Sequence, residues 1–237
     1  MLVDVNAFLG ARPWHPIPGG TPGELLAAMD RTGIDQAWLS HLGGMYAEDP
    51  SSANRELYDA AEREPRFRAV PSVHPWRDGW EAGLDEAVQR GVPAVRADPT
   101  LHGQAPDGDA MRVLVAAAAE RGVPLMLSVR LEDIRQRDPA DTAPELEPWA
   151  VRALIRMDPR LELIVTHADR DFIEQVHFGS TPSEAGRIRW DICWVWGPPE
   201  DHLAILYRTV GEERFVFGTG MPARIPEAAV AKIDLTR

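Results

Sequence analysis

Apolar residues fall in eight short runs, near 2–8, 35–41, 68–74, 93–98, 124–130, 161–167, 188–194 and 214–219. Between them, apolar positions repeat at helical spacing near 22–32, 52–63, 78–90, 108–121, 145–157, 169–177 and 200–210, with a further stub from 226. Runs of this length read as buried strands, and a three-to-four-residue period reads as amphipathic helix. Successive strands start about 25–37 residues apart. Such alternation predicts parallel strands joined by right-handed crossovers.

The punctuation between elements agrees. Gly91-Val92-Pro93 and Gly122-Val123-Pro124 each pair a helix-stopping glycine with a proline at a strand edge. Thr32-Gly33-Ile34 stops a helix in the same way before the second strand. The run Ala116 to Ala119 is a strong helix former. Eight such units in 237 residues predict an α/β fold, a (β/α)8 TIM barrel, as a single domain over 1–237. A doubly wound open sheet is the alternative, but it calls for a glycine-rich loop after the first strand, and Gly19-Gly20 does not supply one.

The net charge is −12, and the Lys and Arg residues are scattered. That balance argues against a nucleic-acid or anionic-membrane partner. No apolar run approaches the ~20 residues of a membrane span, and the first residues lack a secretory pattern. Cys193 is the one cysteine, so no intrachain disulfide forms. These features predict a cytoplasmic, reduced protein with Cys193 as a buried filler.

A barrel carries its site at the C-terminal ends of the strands, and side chains two apart share a strand face. That rule aligns Asp4, Asn6 and Phe8 in the first strand, and Val70, Ser72 and His74 in the third. It aligns Ala94, Arg96 and Asp98 in the fourth, Met126, Ser128 and Arg130 in the fifth, and Val165, His167 and Asp169 in the sixth. His41, Asp191 and Thr219 end three further strands. Polar residues thus gather at one rim, as a ligand site requires. Other readings stand beside this one: Arg96 and Asp98 as a mutual ion pair, Asp169 and Asp171 as a helix cap, Arg130 paired with Glu132 or Asp133. His15, His177 and His202 are expected to be solvated.

Several segments resemble the amidohydrolase-related family of metal-dependent TIM barrels, which includes hydrolases and decarboxylases. They are Thr32-Gly33-Ile34-Asp35, Asn54 opening the second helix, His74-Pro75-Trp76, Val165-Thr166-His167, Trp190-Asp191-Ile192 and Phe217-Gly218-Thr219-Gly220-Met221-Pro222. Their order and spacing span most of the chain. The resemblance implies metal ligands at His-x-His in strand one, His in strands five and six, and Asp in strand eight. Here those positions read Asn6-Ala7-Phe8, Ser128, His167 and Gly220. One of the five ligands remains, so the expectation is no metal and no cofactor. A relocated metal site built from His41, His74, His102 and His167 is the alternative, though no pair has a recognised ligand spacing. The chain also ends sooner after strand eight than the family does, so either the sequence is trimmed or the last face of the barrel is thinly covered.

Three functions follow. The first is a metal-independent enzyme or binder of a small anionic metabolite, in particular a carboxylate, using lyase, isomerase or decarboxylase chemistry. His167 would act as acid or base, oriented by Asp169 or Asp191. Arg96 and Arg130 would bind the anion in place of the metal, with Asn6, Phe8, His74, Trp76, Asp98 and Ser128 lining the pocket. The second is a non-catalytic subunit in a homo-oligomer or with a paralogous partner. Trp14, Trp76, Trp80, Trp194 and Trp196 would then serve as interface anchors, or as a lid in the first reading. The third is an active metallohydrolase with ligands from elsewhere.

Overall fold

The computed structural model of the protein describes residues 1–14 and 17–236. Eight strands follow in order: β1 Val3–Leu9, β2 Gln36–His41, β3 Phe67–Ala69, β4 Val95–Arg96, β5 Leu125–Ser128, β6 Leu163–Thr166, β7 Ile188–Asp191 and β8 Phe215–Val216. The main helices are α1 Pro22–Thr32, α2 Ser51–Arg63, α3 Trp80–Gln89, α4 Asp109–Arg121, α5 Pro148–Met157, α6 Arg170–Phe178, α7 His202–Leu206 and α8 Pro226–Thr236. Every ladder is parallel, and neighbours follow chain order within β1–β3 and within β4–β8.

Two junctions close the barrel. Ser72 bridges Arg96 in parallel, with Val73 N donating to Arg96 O at 2.8 Å and Arg96 N donating to Pro71 O at 2.8 Å. The third strand is shorter than the sequence predicts because Pro71 has no N–H to offer the ladder. On the other side, Val5 N donates to Phe217 O at 2.9 Å, Gly220 N to Asn6 O at 2.8 Å and Phe8 N to Met221 O at 2.8 Å. The chain after β8 therefore keeps pairing with β1 as far as Met221. The eight-unit barrel read from the sequence is the fold that forms.

Local chemistry explains the boundaries. Thr21 and Glu24 form a capping box at α1, Pro22 occupies its first turn, and Gly33 ends it in the left-handed conformation. Asn54 brackets the backbone of Ser72, accepting from its N at 2.9 Å and donating to its O at 2.8 Å. That pair of bonds holds α2 against the end of the third strand.

The interior is layered. Val70, Ala94, Met126 and Ile164 form an apolar plug with Trp38 and Val216. Two residues further along the same strands come Ser40, Ser72, Arg96, Ser128 and Thr166, all buried. The outward residues Val95, Leu125, Leu127, Leu163, Val165 and Trp190 belong to the core between strands and helices. This corrects one alignment. Val165 faces the outer core, so simple alternation would turn His167 outward as well. His167 instead sits at φ 60°, a left-handed conformation that breaks the alternation and swings its ring inward. Phe215, Val216 and Phe217 are only half-buried, beside an outer cavity of about 640 Å³ that they line with Leu2, Tyr207 and Ile233.

Candidate functional site

Above the apolar plug sits Arg96, only 1% exposed. Its Nε donates to Ser40 Oγ at 2.8 Å, Nη1 to Ser128 Oγ at 2.5 Å and Nη2 to Asn6 Oδ1 at 3.1 Å. The Met126 sulfur lies 2.7 Å from Nη2. Asp98 Oδ2 is 3.8 Å from Nη1 and accepts no hydrogen bond, while Asp98 Oδ1 accepts from Ser128 N at 2.6 Å. Arg96 thus ties β1, β2, β4 and β5 together. Its donors are taken by internal groups, so it is a fixed internal cation and offers little to a ligand. Burial raises the Asp98 pKa, and Arg96 opposes that shift.

His167 lies beside this cation and is also 1% exposed. Its ring stacks on Phe8 at 5.9 Å and 17°. Nδ1 is 3.2 Å from Thr166 Oγ1, and Nε2 is 3.5 Å from Asn6 Nδ2. Asp191 reaches only the His167 backbone, accepting from its N at 2.9 Å, while its other oxygen accepts from Asn6 Nδ2 at 2.7 Å. Asp169 caps α6 by accepting from Phe172 N at 3.0 Å, and pairs with Arg130 Nη1 at 2.9 Å. Neither carboxylate therefore orients the imidazole. Thr166 and Asn6 hold it, because the left-handed turn at His167 aims the ring along the barrel wall. Burial drives the His167 pKa well below its ordinary value, and Arg224, Arg96, Arg12 and Arg130 add to the effect. The imidazole is neutral at pH 7.

The remaining candidates lie at the rim. Arg130 pairs with Asp169 and with Glu145, the latter at 3.2 Å, rather than with Glu132 or Asp133. Glu132 pairs with Arg12 instead. His74 stacks on Trp76 at 5.0 Å and meets His102 at 4.4 Å. This cluster faces Glu48 and Met45 carbonyls and stands apart from His167. His41 bonds Glu56 and the Gly44 N–H, so the four histidines of a relocated metal site do not assemble. His177 and His202 are half-buried, more enclosed than expected, and His15 lies outside the described residues.

A cavity of about 530 Å³ opens at the same end of the barrel. Arg12, Arg135, Arg224 and Lys232 line it, against Glu132 and Asp133. The mouth is cationic although the chain is acidic overall. Arg12 and Arg135 are paired with those two carboxylates. Lys232 donates to the Ile192 and Cys193 carbonyls at 3.0 and 2.9 Å. Arg224 lies over the Trp194 ring, its Cζ 3.5 Å from the centroid, and among the described residues it has no ion-pair partner. Arg224, Lys232, Arg12 and Thr166 were not singled out from the sequence. Arg224 falls two residues past Pro222 in a loop, where only tertiary contacts give a side chain its surroundings. The pattern Val165-Thr166-His167 did contain Thr166.

No family model matches the chain, and no curated protein does. Solved structures do match along its length. The 2,6-dihydroxybenzoate decarboxylase from Rhizobium superposes with a TM-score of 0.73 at 16% identity, covering 100% of this chain and 93% of that one. The 5-carboxyvanillate decarboxylase from Sphingomonas paucimobilis gives 0.73 at 16%, covering 99% and 92%. A dihydroxybenzoic acid decarboxylase from Polaromonas sp. JS666, solved with bound manganese and 2-nitroresorcinol, gives 0.73 at 13%, covering 99% and 90%. The fold is that of the amidohydrolase-related barrels. At these identities the likeness establishes architecture and leaves the chemistry to the residues.

That architecture raises the question of a divalent metal, and the residues do not fit one. Asn6 and Ser128 both accept from the Arg96 guanidinium. Phe8 places its ring 5.5 Å from the Arg96 Cζ. Gly220 has no side chain, and a Cβ there would sit 3.4 Å from His167 Nε2 and 3.2 Å from Arg224 Cδ. A divalent ion would meet one imidazole, two neutral side chains already engaged, and a fixed positive charge. Among the described residues, no three His, Cys, Asp or Glu side chains converge to hold a metal.

Proposed function

We propose that this protein is a metal-independent barrel that binds a small carboxylate at its mouth and carries out proton-transfer chemistry of the lyase, decarboxylase or isomerase type. One observation carries the reading. Arg224 is a half-buried guanidinium without a carboxylate partner among the described residues, in a cationic cavity, against the indole that adjoins His167. A planar guanidinium binds carboxylate in a bidentate manner and stays charged when partly buried. In this reading Arg224, helped by Lys232, receives the anion, and Trp194 offers a flat apolar wall. The neutral His167 takes a proton from the bound acid itself, leaving the electron pair on the substrate. An anion beside Arg224 offsets the positive field on the imidazole and so favours its protonation, which readies it to return the proton to a carbon. Three of the solved structures that share the fold are named as decarboxylases of aromatic acids, which supports the same substrate charge.

The test is calorimetric titration with benzoate and 2,6-dihydroxybenzoate. Arg224→Gln is expected to weaken binding by about tenfold or more, since hydrogen bonds to charged groups contribute about 1.5–3 kcal/mol. Equal affinity in the variant, or no binding of either acid to the wild type, sinks the reading.

A second reading rests on the seal over His167. The cavity is lined by Trp194 and Arg224 but not by His167 itself. A binding barrel without turnover has no need of access to the imidazole. Turnover of a bound acid that disappears in His167→Asn decides for the enzyme; binding without turnover in the wild type decides for the binder.

A further inference from the structure

The hydrogen bonds of the barrel interior have a direction, because a guanidinium carries only donors. Arg96 Nη1 donates to Ser128 Oγ at 2.5 Å, so the Ser128 hydroxyl proton is free to point elsewhere. Its neighbour is Thr166 Oγ1 at 3.2 Å. Thr166 in turn donates to Leu127 O at 3.1 Å. Thr166 Oγ1 is then an acceptor toward His167 Nδ1 at 3.2 Å, and Nδ1 must bring the hydrogen. A second arm starts from the same guanidinium. Arg96 Nη2 donates to Asn6 Oδ1 at 3.1 Å, which fixes the orientation of the Asn6 amide. Its Nδ2 is left to donate to Asp191 Oδ2 at 2.7 Å, and its second hydrogen is shared between His167 Nε2 at 3.5 Å and Cys193 Sγ at 3.8 Å. An amide nitrogen only donates, so the contact from Asn6 to Nε2 calls for an acceptor there. Both arms, which share the Arg96 guanidinium, give the same answer.

We propose that Arg96 is a positioning residue that works through Ser128–Thr166 and through Asn6 to hold His167 in the Nδ1–H tautomer, with the Nε2 lone pair turned toward Asn6 and Gly220. The left-handed backbone at His167 belongs to the same device, since it delivers the ring to both arms. Non-glycine residues held there cost free energy and persist where surroundings enforce them. The consequence for the proposed chemistry is a base of defined direction. Nε2 lies on the side where a Cβ at Gly220 would be 3.4 Å from it and 3.2 Å from Arg224 Cδ. A substrate C–H presented from the Arg224 side takes the place of the long Asn6 contact at 3.5 Å and meets the lone pair, not an N–H. The use made of Nε2 rests on the proposed function; the tautomer does not.

The experiment is a long-range proton–nitrogen correlation spectrum of the full chain labelled with ¹⁵N-histidine at pH 7.5. The His167 signals are identified by their loss in His167→Asn. The expected result is a bare Nε2 and a protonated Nδ1 in the wild type, the same pattern in Thr166→Ser, and a mixed or reversed tautomer in Thr166→Val. A bare Nδ1 in the wild type overturns the proposal. So does a Thr166→Val spectrum identical to that of the wild type. If Thr166→Val does not fold by circular dichroism, the wild-type and Thr166→Ser spectra decide. Benzoate added to the same wild-type sample keeps the two readings separate: unperturbed His167 signals count against carboxylate binding at this site, whereas the tautomer is judged before any acid is added.

Discussion

Arg224 lies over Trp194, with its guanidinium carbon 3.5 Å from the ring centroid. The same indole meets His167 edge-on at 5.9 Å. Arg130 approaches the indole as well, at 5.4 Å. Trp194 therefore organises the cations of the mouth and shields the buried imidazole. A double-mutant cycle of Arg224→Gln and Trp194→Leu, read by urea unfolding, is expected to show a coupling of about 0.5–2 kcal/mol, the range of partly desolvated cation–π pairs. A coupling near zero removes the stack as an organising contact.

Gly220 stands at φ 71° between His167 and Arg224. Gly220→Asp puts back the residue type that the family resemblance places there. A side chain in this conformation costs about 1–2 kcal/mol, and its Cβ presses on Arg224 Cδ at 3.2 Å. The variant is expected to lose stability by about that amount in denaturant unfolding. It is not expected to gain a metal, because Arg96 remains bonded to Asn6 and Ser128. A thermal midpoint that rises with added Mn²⁺ contradicts this.

The metal prediction for the wild type is equally direct. Mass-spectrometric metal analysis of protein purified from Mn²⁺- or Zn²⁺-supplemented culture is expected to find far less than one ion per chain. Chelator is expected to leave the melting temperature unchanged. One tightly held ion per chain returns the metallohydrolase reading.

Asp4 is fully buried and ties β1 to the last strand by accepting from Thr219 N and Oγ1 and from Asn6 N. Burial raises its pKa to about 6, against those hydrogen bonds, which pull it down. The folded value exceeds the unfolded one. Its stabilising contribution is therefore fully present below pH ~4 and is lost as pH rises through about 6. The shift amounts to about 3 kcal/mol. Asp4→Asn is expected to remove this decline, so that its stability, measured by urea unfolding between pH 4 and 7, falls less with rising pH than that of the wild type.

His74 acts with the opposite sign in the same window. Burial, with the nearby His102, lowers its pKa to about 4. A neutral buried histidine contributes stability above the unfolded pKa of ~6.5, and this is lost as pH falls toward about 4. His74→Phe, which keeps a ring against Trp76, is expected to resist acid better than the wild type by about 2–3 kcal/mol at pH 4. An unchanged acid-unfolding midpoint argues against a neutral His74 in the folded state.

The sequence by itself determined the architecture. Strand and helix periodicity, Gly-Val-Pro punctuation and the Thr32-Gly33-Ile34 helix stop are local, and local patterns survive in one dimension. Alternation also brought Asn6, Phe8, Arg96 and Ser128 to the barrel interior. The tertiary structure decided how they pair. Arg96 donates to Ser40, Asn6 and Ser128, which come from three different strands, so these partners could not be read from neighbours in sequence. Asp169 and Arg130 found each other across 39 positions, leaving the imidazole to Thr166 and Asn6. A left-handed residue at His167 broke the strand alternation on which the inward face was counted. Arg224 gained its place over Trp194 only because the loop after β8 folds back across the mouth. Faces follow from backbone period, but partners follow from which strands a closed barrel brings side by side.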